Sequence, residues 1–72
     1  MAEIVLRVRL VSGDQLDVTY EEPATDEVAA EHAIRTLADD SGVLRTSHGG
    51  RLVVLYGRGV AALEVGPRGA VL

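Results

Sequence analysis

Residues 51–65, RLVVLYGRGVAALEV, decide the fold of this 72-residue chain. Leu52 to Tyr56 form a short apolar run rich in Val and aromatic character, bounded by Arg51 and Gly57, which reads as a strand. Val60 to Val65 form a second such run, and a three-residue Gly57-Arg58-Gly59 loop would set Leu55 opposite Ala61 and Val53 opposite Leu63. Upstream, His48-Gly49-Gly50-Arg51 offers two glycines for the positive φ angles of a tight hairpin, pairing Leu44 with Leu55 and Thr46 with Val53. Both turns select one core face: Leu44, Val53, Leu55, Ala61, Leu63 and Val65. The other face then carries Val43, Leu52, Val54, Tyr56, Val60 and Ala62, edged by Arg45, Ser47 and Glu64. It is too apolar for ordinary solvated sheet and is the candidate interface.

Working back toward the N-terminus, residues 3–11 alternate with period two, placing Ile4, Leu6, Val8 and Leu10 on one face. Residues 15–20 repeat the pattern with Leu16, Val18 and Tyr20. A Ser12-Gly13-Asp14 loop pairs Leu10 with Leu16, Val8 with Val18 and Leu6 with Tyr20, and brings Arg9 opposite Asp17. Pro23 ends this strand. Thr25 then caps a helix whose first turn holds Asp26 and Glu27, carboxylates suited to the positive end of the helix dipole. Ala29, Ala30, Ala33, Ile34, Leu37 and Ala38 share one half of its surface, while Glu31, His32, Arg35, Thr36 and Asp39 share the other, and Ser41-Gly42 marks the end. A single domain over residues 1–72 follows, α+β in class and ββαβββ in order: one helix packed on one face of a largely antiparallel four- to five-stranded sheet.

Size and charge narrow the function. A chain this short buries only about 60% of the surface that its unfolded form exposes, so a staple or a partner is expected. There is no Cys, and His32 and His48 lie far apart, which leaves a partner subunit, packed sheet face to sheet face, as the expected device. No apolar run is long enough to span a bilayer. The N-terminus lacks the charge layout of a signal peptide, and a cytoplasmic protein is expected. The basic residues are all Arg, with Lys, Phe, Trp, Asn and Cys absent, a bias fitting a GC-rich genome. Net charge is −4, with +1 on residues 1–13, −8 on 14–40 and +3 on 41–72. That balance argues against binding a nucleic-acid backbone, which depends on clustered positive charge, although Arg7, Arg9, Arg45 and the Tyr56 ring supply the parts for weak sheet-face binding.

Motifs for chemistry are sparse. A strand follows Gly57-Arg58-Gly59, where a nucleotide-binding glycine run needs a helix, so it reads as a turn. His32 falls on the solvated side of the helix and His48 opens a turn. Without Cys, no metal set is at hand, no nucleophile and base can be paired, and neither a cofactor nor enzymatic activity is expected. Asp39 and Asp40 sit at the unfavourable, negative end of the helix dipole. Together with Glu21, Glu22, Asp26 and Glu27 they form a candidate acidic surface for a basic partner.

The order of elements, with GVLRTSHGGRLVVLYGRGVAALEVG as its last part, resembles short actinobacterial proteins grouped as a domain of unknown function. The resemblance implies a fold and no activity. Residues 1–40 also resemble the opening hairpin and helix of ubiquitin-like β-grasp domains. The ending Gly69-Ala70-Val71-Leu72 lacks the terminal Gly-Gly that carrier chemistry requires, so a carrier role is not expected. Taken as a whole, the chain reads as a non-enzymatic interaction module, a homodimer or an adaptor for another protein.

Overall fold

The structure is a computed structural model and describes residues 2–67. Strands β1 (Ala2–Leu10) and β2 (Gln15–Glu22) precede helix α1 (Asp26–Leu37). Strands β3 (Val43–His48) and β4 (Arg51–Tyr56), a 3-10 turn (Gly57–Gly59) and β5 (Val60–Pro67) follow. The five strands form one open antiparallel sheet in the order β4-β3-β2-β1-β5, with the helix on one face. This is the α+β, ββαβββ arrangement that periodicity predicts. Whether Ala70, Val71 and Leu72 add a strand lies outside the described residues.

Most face assignments hold, but Val60 packs inward and Ala61 is exposed, Ile34 and Ala38 on the expected core side of the helix are exposed, and two registers differ. Val8 faces Leu16, Leu6 faces Val18, Ile4 faces Tyr20, and Asp17 meets Arg7 instead of Arg9. The cause is the loop. Leu10 N–H donates to Asp14 O at 2.8 Å and Gly13 N–H to Leu10 O at 2.9 Å, making the loop Val11-Ser12-Gly13 with Gly13 at φ 96°. A three-residue hairpin needs its left-handed residue in the third place, and only Gly13 takes that conformation cheaply. The shift is two residues, so every side chain keeps its face.

The second correction is topological. Strand β5 does not pair with β4 but crosses to β1, where Leu6 faces Val65 and Val8 faces Leu63. Leu63 and Val65 still pack against the core and Ala61 is exposed beside a bulge. The outermost strands of a flat five-stranded sheet would lie ~19 Å apart, while the four steps from Tyr56 to Val60 span at most ~14 Å. The sheet must therefore coil until its two edges meet near the 3-10 turn, and Val11 N–H donating to Gly59 O at 2.9 Å fixes that meeting point. Between β2 and β3 the ladder holds only Thr19 opposite Ser47, which leaves β3 and β4 free to swing round.

The Gly49-Gly50 turn is as expected, with φ of 56° and 78°, and sets Leu44 against Leu55 and Thr46 against Val53. Inside the coil Ile4, Leu6, Val8 and Val18 are fully buried, and Ala29, Ala33 and Leu37 seat the helix on them. Small Ala side chains bring the helix axis close to the sheet. Thr25 Oγ1 accepts from Val28 N–H at 3.2 Å and caps its start. Its end departs from the expected glycine cap. Ala38 closes the helix in right-handed conformation, and Gly42 has no positive φ. Gly42 and Gly57 serve close approach: a Cβ on Gly42 would fall 1.8 Å from Thr36 O, and one on Gly57 would fall 1.9 Å from Asp39 O.

Candidate interaction surface

The sheet's outer face, away from the helix, is divided. On its β2-β1-β5 side it is charged: Arg7 Nε donates to Asp17 Oδ1 at 3.1 Å, Arg9 reaches Gln15 Oε1 at 3.5 Å, and Glu64 lies opposite Arg7. On its β3-β4 side it is largely apolar along β4, with Arg45 opposite Val54 and Ser47 opposite Leu52 on β3. Val43 and Tyr56 face each other across the strands, and Val54 and Leu52 continue the row along β4. Leu52 is 63% exposed, Val43 50% and Tyr56 48%. The Arg58 guanidinium lies 5.3 Å from the Tyr56 ring centroid and covers one end of the row.

Of the six residues read as a candidate interface, the structure thus brings together Val43, Leu52, Val54 and Tyr56. Val60 and Ala62 travel with β5 to the other edge. Val60 turns inward to pack on the core, and Ala62 stands opposite Arg9.

The six acidic residues are not gathered on one surface. Asp26 and Glu27 lie in the first helical turn, roughly 18 Å from its end by helix rise alone. Glu21 faces out from β2. Asp39 Oδ1 accepts from Ser41 N–H at 2.9 Å and Ser41 Oγ–H at 2.8 Å, which holds its carboxyl below the usual carboxylate range. This turn accounts for an Asp at the wrong end of a helix; neighbouring Asp40 is simply exposed.

Glu22 is committed elsewhere, in a cluster the sequence reading missed. The Tyr20 hydroxyl donates to Glu22 Oε1, and His32 Nδ1 hydrogen-bonds the same oxygen, both at 2.5 Å. The two rings meet edge-on with centroids 6.2 Å apart. Burial first, and then the bond to Glu22, push the Tyr20 phenol up to about 12. The Tyr20 bond, followed by that from His32, lowers the Glu22 carboxyl. The signal was available: Glu22 stands two residues after core-facing Tyr20, so strand parity puts its carboxylate on the helix side, where it needs a donor.

His48 is more than a turn residue, since its Nδ1 meets Asp17 O at 2.7 Å and ties the β3-β4 hairpin tip to β2. Among the described residues no group of three His, Asp or Glu side chains is placed to hold a metal ion. None of their helices is long and apolar enough to cross a membrane. An apolar groove of about 420 Å³ runs beside the patch, between β4 and the tip of the first hairpin, lined by Leu10, Val11, Leu16, Val53, Leu55 and Tyr56 among others. No family model, no curated protein and no solved structure matches the chain.

Proposed function

We propose that this chain is a small, non-enzymatic interaction module that self-associates through the outer face of β3 and β4. The observation that carries this reading is the contiguous row of Leu52, Val54, Tyr56 and Val43 on a domain whose remaining outer sheet face is charged. Covering such a row removes apolar surface from water at about 25 cal/mol per Å². A domain this small gains from a partner what it cannot bury alone. We place the protein in the cytoplasm, for which the lack of Cys is the support.

The test is mass in solution, by light scattering over a dilution series, for the natural chain and for Leu52→Asp and Val54→Asp. A dimer that both substitutions convert to monomer is the expected result. At dilutions where the natural chain is monomeric, replacing half-buried Val54 should also cost melting temperature, whereas replacing exposed Leu52 should not. A natural chain that stays monomeric at every concentration refutes self-association and turns the same face into the docking site of a different protein.

A further inference from the structure

The two sheet edges are unlike. Strand β5 carries three devices that discourage a further strand: a bulge where its register with β1 shifts, the charge of Glu64, and Pro67. From Leu52 to Tyr56, β4 carries none. Its backbone is also aimed outward. Gly57 N–H donates to Gly42 O at 2.9 Å, so the hydrogen-bonded pairs of the β3-β4 ladder are Leu44 with Leu55, Thr46 with Val53 and His48 with Arg51. The N–H and C=O groups of Leu52, Val54 and Tyr56 therefore point away from β3, to the free edge. Among the described residues β4 pairs only with β3.

We propose that the occupant of this edge is β4 of a second copy, running antiparallel across a two-fold axis close to Val54. This rests on the self-association reading above but moves the contact from the outer face of β3 and β4 to the adjoining free edge of β4: the two sheets join edge to edge instead of stacking face to face. The strand is complementary to itself in that register. Leu52 meets the partner copy's Tyr56 and Val54 meets its own counterpart, giving aromatic-aliphatic and Val-Val cross-strand pairs with no charge opposite a like charge. Edge pairing covers only part of the exposed Leu52 and Tyr56 side chains, far less than the ~800 Å² per partner of a standard interface. The dimer is accordingly a weak one, forming in the micromolar range or above, in which backbone hydrogen bonds carry a large share.

A chain of 72 residues is accessible to chemical synthesis, which allows one atom to be tested. Replacing Val54 by its α-hydroxy acid removes the outward N–H and keeps the side chain, at the cost of turning the Val53 carbonyl, which accepts from Thr46 Oγ1 at 2.7 Å, into a weaker ester acceptor on the β3 side. The expected result is a slightly lower melting temperature for the monomer, from the weakened Val53 carbonyl, and dimerisation weakened about tenfold to thirtyfold, from two hydrogen bonds lost per dimer, when both are compared where the monomer remains folded. Hydrogen exchange on the natural chain gives a second reading, with the amides of Leu52, Val54 and Tyr56 becoming protected as concentration rises. A dimer that tolerates the ester, leaves those amides unprotected and still falls apart with Leu52→Asp overturns edge pairing and leaves face-to-face association standing. A natural chain monomeric throughout overturns both.

Discussion

Replacing Gly57 by Ala tests the coiled-sheet architecture more sharply than any core truncation. A Cβ built there lies 1.9 Å from Asp39 O, where real Cβ contacts essentially never fall under 3.0 Å, and the obstacle is backbone with no rotamer to flip. The 3-10 turn and the loop after the helix would have to part by about 1 Å, an overpacking that costs about 1–3 kcal/mol. The Gly57 N–H to Gly42 O bond would go with it, worth ~1 kcal/mol. A total of about 3 kcal/mol is a large part of the ~5 kcal/mol expected for so small a domain and lowers Tm by ~12–24 °C. Gly59 is the internal control. It has no positive φ and nothing within 4 Å of a built Cβ, so Gly59→Ala should be neutral, or stabilising by up to ~1 kcal/mol. Thermal and urea unfolding followed by circular dichroism measure both. If Gly57-Arg58-Gly59 were instead a tight β4-β5 hairpin, its third residue would need the left-handed conformation and the ranking would invert. A Gly59→Ala variant less stable than Gly57→Ala refutes the topology.

The Tyr20-Glu22-His32 cluster predicts a pH dependence at both ends. Glu22 is lowered from its ordinary 4.5, so its contribution is complete above that value and is lost as pH falls through the folded value. Urea midpoints should decline below about pH 4.5, and Glu22→Gln should flatten that limb. Tyr20 is raised from 10.0 to about 12, so it favours the fold fully below pH 10 and loses this contribution as pH climbs toward 12; Tyr20→Phe should remove that alkaline loss. Thr25→Ala should cost about 1 kcal/mol by leaving Val28 N–H without its cap, read as a lower Tm. Equal stability would place the helix start elsewhere.

Periodicity made the strands, the helix and most faces legible because side-chain direction depends chiefly on local geometry, whereas the bulge against β1 reversed the expected faces of Val60 and Ala61. Leu44, Val53, Leu55 and Leu63 turn inward whichever strand lies beside them. Strand neighbours were not legible, because no local cue exists for pairing at a distance. Residues 60–65 satisfy a hairpin onto β4 and a ladder onto β1 equally well, and β1 offers a longer apolar row, Ile4-Leu6-Val8, to cover. The site divided along the same line. Val43, Leu52, Val54 and Tyr56 depended on the local Gly49-Gly50 hairpin and came together, while Val60 and Ala62 depended on the pairing of β5 and moved away. Gly57 misled because sequence shows a glycine without showing whether φ or crowding requires it.

The pairing of β1 with β5 also sets an order of events during synthesis. Strand β1 emerges first, yet one of its two neighbours is the last described strand to be made, with Leu6 waiting for Val65. At about 5–20 residues per second, the 45 residues that separate Glu22 from Pro67 take ~2–9 s to add. Through that interval the first hairpin presents an open strand edge and an unfilled apolar face, and a two-stranded hairpin by itself is barely stable in water. Completion of the domain is therefore a late, all-at-once event, set by the arrival of its last strand.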